Sequence, residues 1–296
     1  MIHDRLDIDH WKSVFSVQRM RETGEKPDAY IISSPYDIAV VEQLRAETFA
    51  PDPTLEHIPT DVFVWNRGEP TNRAVTHVGD LPYRAAGKPW PLAPSGEPLT
   101  FVAQFCFADS RDIVPAIPGD ILLFFAEGKE WRYRDEVSYD FSWGDGDERD
   151  SALHFEWVNL DDALPLITRE EALQAKWRID PCYAAIYRTW DYPTADGFAY
   201  PGVYEHIPEI LDATKIGGVC PWRDEVESSE ISGGEFLCAL SSIFPVIDRP
   251  YPFLNVPGPI SYGDSRASNM LKIGDVGLID VFINSNGDLR WLAFSH

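Results

Sequence analysis

Two stretches of this chain repeat one pattern, and the repetition constrains the fold more than any other feature. The first runs His77-Val78-Gly79-Asp80-Leu81-Pro82-Tyr83, then Phe101-Val102-Ala103-Gln104-Phe105, then Gly119-Asp120-Ile121-Leu122-Leu123-Phe124-Phe125. The second runs Lys215-Ile216-Gly217-Gly218-Val219-Cys220-Pro221-Trp222, then Phe236-Leu237-Cys238-Ala239-Leu240, then Gly274-Asp275-Val276-Gly277-Leu278-Ile279-Asp280-Val281-Phe282-Ile283. Each set reads as a turn with Gly and Pro, an apolar strand, a Gly-Asp turn and a further apolar strand. Self-similarity of this kind predicts a duplicated β-rich unit. It does not predict a chemistry.

The chain's 296 residues suffice for a sizeable core without disulfides. With 13% aromatic residues, 24 Pro and 20 Gly, the composition suits sheets joined by ordered turns better than a helix bundle. We therefore expect an α+β fold: two duplicated β-rich halves, a mostly antiparallel sheet and a few peripheral helices. Residues 1–60 read as a helical segment packed on the body, 61–190 as the first half and 191–296 as the second, all in one compact unit. A parallel α/β enzyme would need alternating strands and helices, which the middle of the chain lacks.

Local signals place the elements. Trp11, Val14, Phe15 and Gln18 keep helical spacing, which predicts a helix over about 8–22. Ser34-Pro35-Tyr36-Asp37 offers an N-cap, a proline at the first position and an acid at the third. Residues 61–65 read as a strand, and so do about 100–107, 120–126 and 153–158. The Pro- and Gly-dense stretch 82–98 reads as an ordered loop or a cover over a sheet. Thr168-Arg169-Glu170-Glu171 is a capping box that opens a helix to about Arg178. The Pro-, Gly- and Tyr-rich link 191–202 reads as the boundary between halves, with a short helix near 208–213 after it. Asn286-Gly287 predicts a closing hairpin.

The formal net charge is −23. Phosphate is repelled by such a chain, which argues against nucleic acid and anionic membranes as partners; the acid either only keeps the chain soluble or steers a basic protein partner. The four cysteines form no CxxC pair, and Cys106 and Cys238 fall inside apolar strands, so buried free thiols are expected. No secretory signal or membrane-length apolar run is visible, which predicts a cytoplasmic protein. The seven His lack zinc spacing. The acidic tip Asp145-Gly146-Asp147-Glu148 lacks the order of a calcium loop and reads as a solvated turn. No metal or cofactor is expected.

The residues that could bind a ligand or react are few: Asp80, Trp90, Gln104, Asp120, Trp222 and Asp275. Asp120 and Asp275 occupy the repeated Gly-Asp turns, and Asp80 closes the first Gly turn. Paired carboxylates across a cleft between the halves would allow general acid–base hydrolysis; alternatively each Asp caps its own turn. Trp90 and Trp222 sit beside prolines in loops, where they line a groove or plug a core. The two glycines before Pro221-Trp222 predict positive φ or a close backbone approach, with Trp222 buried at the seam.

These residues also carry a family resemblance. Lys215–Trp222, Phe236–Leu240 and Gly274–Gly277, with Phe101-Val102-Ala103-Gln104-Phe105 and Pro118–Phe125, resemble the bacterial YwqG-like family over about residues 60–296. Ala239 stands where Gln would match Gln104. The resemblance implies a cytosolic α+β protein with duplicated β-rich halves and supplies no catalytic residues. Some relatives sit near bacterial toxin systems, which implies an immunity or partner-binding role. The expected function is that of a non-catalytic binding protein; the alternative is a hydrolase or small-ligand enzyme with the cleft described above.

Overall fold

A computed structural model of the chain describes residues 1–14, 22, 34–49, 54, 56–127, 129–133, 136–140, 153–162, 165–172, 179–192, 212–220, 234–243, 271, 273 and 277–295. Twelve strands are present among them: β1 Ile58–Arg67, β2 His77–Val78, β3 Thr100–Cys106, β4 Ile121–Ala126, β5 Lys129–Tyr133, β6 Glu136–Asp140, β7 Leu153–Val158, β8 Cys182–Asp191, β9 Lys215–Gly217, β10 Glu235–Ser241, β11 Gly277–Ile283 and β12 Leu289–Ser295. Two helices accompany them, α1 Ile8–Val14 and α2 Pro35–Phe49.

The fold corrects the α+β expectation. The described residues form a nearly all-β protein, a strand-rich antiparallel half-barrel with two short helices against its side. The helical signals in the sequence were real but local. Ser34 Oγ accepts the Asp37 N–H at 3.1 Å, while the Asp37 carboxylate accepts the Ser34 N–H at 3.3 Å. That reciprocal cap starts α2 as its residues predict. The Thr168–Glu171 box also closes, with Glu171 accepting the Thr168 N–H at 2.9 Å, but the described residues after it form only a turn. The remainder of that helix, residues 15–21 of the first, most of the 191–202 link, most of the 208–213 helix and the acidic tip at 145–150 lie outside the described residues.

Ten strands make one sheet in the order β12-β11-β10-β9-β1-β8-β2-β3-β4-β7, and every strand pair in it is antiparallel. The order mirrors itself about the β1–β8 pair. Details recur on both sides of that axis. β3 and β4 shift register between Phe101 and Ala103, and β10 and β11 shift between Phe236 and Cys238. Thr76 Oγ1 accepts the Cys106 N–H at 3.0 Å, and Thr214 Oγ1 accepts the Ser241 N–H at 3.1 Å. The turns Gly79-Asp80 and Gly217-Gly218 each carry two consecutive positive φ values, and Asp80 is the one non-glycine with positive φ among the described residues.

One sheet face holds a continuous core running from Phe105, Phe107 and Phe124 through Phe63 and Trp65 to Leu240, Ile279 and Val281. Such large apolar side chains, closely packed, supply most of the drive to fold. The opposite face is covered in three patches. Residues 82–99 cover β3 and β4, with Tyr83, Ala93 and Leu99 buried and Trp90 half-buried against Phe125. Helix α2 covers the centre through Ile38 and Val41 on Val62 and Val64. Cys220, Leu278, Phe282 and Leu292 pack together with Ala239 over β10 and β11. All four cysteines are buried and free. Among the described residues, no helix is long and apolar enough to cross a membrane.

Candidate functional site

Mirrored strands place equivalent residues in two rows across the covered face. In one half the row runs Tyr183–His77–Gln104–Leu123–Glu156. In the other it runs Val62–Lys215–Ala239–Asp280–Leu292. The geometry is shared, but the chemistry differs.

The first row is satisfied by its own chain. Gln104 accepts the Tyr83 N–H at 2.8 Å and donates to the carbonyls of Arg73 and Val75 at 2.8 and 2.9 Å, so it fastens the 82–98 cover to the strands. The His77 ring nitrogens lie 3.0 and 3.2 Å from the carbonyl oxygens of Val75 and Leu81, and burial pushes its pKa down to about 4. Arg84, fully buried, donates to both Glu156 oxygens at 2.8 and 3.0 Å and to the Lys88 carbonyl at 2.7 Å. Burial alone would raise the Glu156 pKa, but Arg84 and Lys88 outweigh it and hold that carboxyl at about 2. Trp90 donates its ring N–H to the Leu99 carbonyl at 2.8 Å and stands edge-on to Phe125.

The second row buries charge. Lys215 is wholly buried and donates to Asp191 Oδ2 at 2.8 Å and to the Val219 carbonyl at 2.7 Å. Asp191 also accepts the Val219 N–H at 2.9 Å and meets Arg45 of α2 at 3.7 Å. The turn has to be glycine here. At Gly218, with φ of 78°, a Cβ would collide with Asp191 Oδ2 and come within 2.9 Å of Thr60 Cβ. Asp80 takes the matching place in the first half, where its carboxylate reaches outward to Arg169.

Asp280 is the second buried acid of that row. Its Oδ2 accepts from the Cys220 thiol at 3.1 Å. Its Oδ1 is buried and has no hydrogen-bond partner among the described residues. Burial drives its pKa up, Asp212 adds to the rise, and Cys220 and Lys215 offset only part, leaving it at about 7. Ser241 lies two residues along β10 from Ala239, on the same face, and its buried Oγ also has no partner among the described residues.

The residues singled out in the sequence fall in different places. Asp80 is bound to Arg169 at 2.6 Å, and Arg169 also holds Glu69 at 2.7 Å. Asp120 accepts the Leu160 N–H at 3.0 Å and Arg111 at 2.6 Å. Partial burial pushes the Asp120 pKa up, but those two partners outweigh it and hold the acid below its ordinary range. Trp90 belongs to the cover over β3, and Gln104 lies in β3 itself and fastens that cover through Tyr83. Trp222 and Asp275 lie outside the described residues. Sequence reasoning quoted Lys215, Cys220 and Asp280 within the repeated pattern but passed over them as site residues. The signal was one acid inside Gly277-Leu278-Ile279-Asp280-Val281-Phe282-Ile283, where every neighbour is apolar. A charge at such a position is buried at a cost unless something answers it.

Residues 76–201 match the model of a family described as a domain of unknown function (DUF1963). The match spans β2 through β8 and stops short of β9 to β12. No curated protein matches the chain.

Proposed function

We propose that the protein is a cytoplasmic, non-catalytic binding protein whose partner is a basic protein. One observation carries the reading. Buried charges nearly balance among the described residues: Asp37, Asp61, Asp191 and Asp280 stand against Arg45, Arg84 and Lys215. Burial therefore conceals little net charge among the described residues, and the chain's formal charge of −23 supports a reading in which acid steers cations. The hydrolytic alternative is less well supported, because Asp80 and Asp120 are each committed to an arginine, and a general acid needs a carboxyl free to trade a proton. The mirrored strand order supports reading the chain as two duplicated halves. Likeness to YwqG-like proteins, some of them near toxin systems, fits the same role.

The test is capture from native lysate at low and high salt, with recovered proteins identified. A basic partner retained at low salt and released at high salt is expected, since exposed charge pairs are screened. Recovery of no specific partner at either salt would overturn the proposal.

A further inference from the structure

Asp280 and Ser241 lie diagonally across the β10–β11 pair on one face, since Asp280 is opposite Ala239 and Ser241 is opposite Leu278. Diagonal neighbours of this kind lie about 7–8 Å apart at the backbone, within reach of one small bridging group. Asp280 is wholly buried and Ser241 nearly so, at 1% exposure, and each offers an oxygen that no described residue answers. Leaving such groups unanswered is costly, the more so for a charged one, so they mark a missing partner.

The charges around Asp280 say what that partner is. Lys215 on β9 is already bonded to Asp191 and Val219, and Arg45 also serves Asp191. No cation lies within ion-pair distance of Asp280 among the described residues. The other titratable groups around it are Asp212 ahead of β9, Cys238 on β10 and Cys220 after the Gly turn. β12 brings only Leu292 opposite it. The site thus holds an acid in excess. Phe282, two residues along β11 on the same face, and Phe236 close the apolar side, with their rings 5.8 Å apart. Two orphan acceptors beside aromatic rings suit a cation that carries directional N–H donors, whereas an alkali ion seeks a fuller shell of oxygens.

We propose that the β10–β11 face encloses a binding site for a small primary ammonium ion, donating to Asp280 Oδ1 and Ser241 Oγ. The site goes beyond the basic-partner reading and is independent of it: that reading concerns the acidic surface, and this one a sealed interior position. Near-neutral titration of Asp280 adds a signature. An ammonium ion needs the ionised acid, so binding strengthens as pH rises through about 7 and weakens below it.

The experiment is thermal unfolding of the full chain in ammonium, methylammonium, potassium or sodium chloride at matched ionic strength, at pH 6 and pH 8. Ammonium and methylammonium should raise the melting temperature above the sodium value by a few degrees, more at pH 8 than at pH 6, because a ligand of the native state stabilises by mass action. Asp280→Asn should erase the difference and Ser241→Ala should shrink it, with circular dichroism confirming that both variants fold. If one variant fails to fold, the other and the wild-type pH dependence still decide. Equal melting in ammonium and sodium would show that water or a proton alone fills the position and would overturn the proposal. An equal rise in potassium would overturn it in favour of an alkali-ion site. Loss of the salt-sensitive protein partner would leave these outcomes untouched, so the two readings fail separately.

Discussion

Replacing Asp280 by Asn should stabilise the protein, and by more at pH 8 than at pH 5. In the folded state the Asp280 pKa is raised from 3.8 to about 7, first by burial and then by Asp212, against the opposing pull of Cys220 and Lys215. A raised acid pKa means the native state holds a proton that the unfolded state has released. Wild-type stability from this group is therefore greatest below about pH 4, falls as pH rises, and is gone above about pH 7. Each pK unit corresponds to about 1.4 kcal/mol, so the two units between pH 5 and pH 7 amount to about 3 kcal/mol. The amide has nearly the same shape, still accepts from the Cys220 thiol through its oxygen, and turns an N–H donor toward the side of Ser241. It carries no charge to desolvate. Urea unfolding of both proteins in sodium buffers from pH 5 to pH 8, with ammonium absent, gives the difference in stability at each pH. Groups common to the two proteins cancel in that difference. It should grow toward the variant by about 3 kcal/mol across the range. A difference that stays flat with pH would show that Asp280 titrates normally in the fold, and the case for a buried acid in excess would fail with it.

Gly218→Ala should cost about 2–4 kcal/mol, because it adds a Cβ at positive φ and drives it into Asp191, while Asp80→Gly at the matching turn should cost far less; chemical denaturation of the two variants checks the contrast. Gln104→Leu should cost about 2–4 kcal/mol, since it leaves the Tyr83 N–H and the Arg73 and Val75 carbonyls without their shared partner. Hydrogen exchange on that variant should show faster exchange at Tyr83 and its neighbours, and unchanged protection there would refute the fastening role.

Strands were the most legible part of the fold. Phe101–Phe105, apolar but for Gln104, and Ile121–Phe125, apolar throughout, sit between turn residues, and both become buried strands. The start of α2 was legible for a similar reason, because Ser34, Pro35 and Asp37 act within one turn of one another. The architecture was not. β1 pairs with β8 over ten residues, Ile58 with Asp191 through Arg67 with Cys182, and nothing local in either strand names the other. That one pairing joins the two sides into a single sheet, and it leaves the helices as attachments rather than a layer. The turns illustrate the same limit at smaller scale. Adjacent glycines signalled positive φ at 217 and 218, yet the collision with Asp191 that makes glycine necessary there depends on a strand end 27 residues earlier in the chain. Thr76 and Thr214, just ahead of the two turns, were not read as part of the pattern, because their role is to receive N–H groups from strands that follow later.

The contrast between the two rows explains why the candidate site lies where the family match does not reach. Gln104 on β3, within the matched segment, ties Tyr83 of the cover to the Arg73 and Val75 carbonyls, and Leu123 beside it asks for no partner. In the second half the same two places hold Ala239 and Asp280. Alanine cannot hold a cover, and the acid adds a demand that the strands alone do not meet. Were position 280 filled for packing alone, an apolar residue there would be the cheaper solution, since burying a lone carboxylate costs several kcal/mol. Retaining an acid there, with Ser241 unanswered beside it and Lys215 already committed to Asp191, makes sense for a position that holds something besides its own chain.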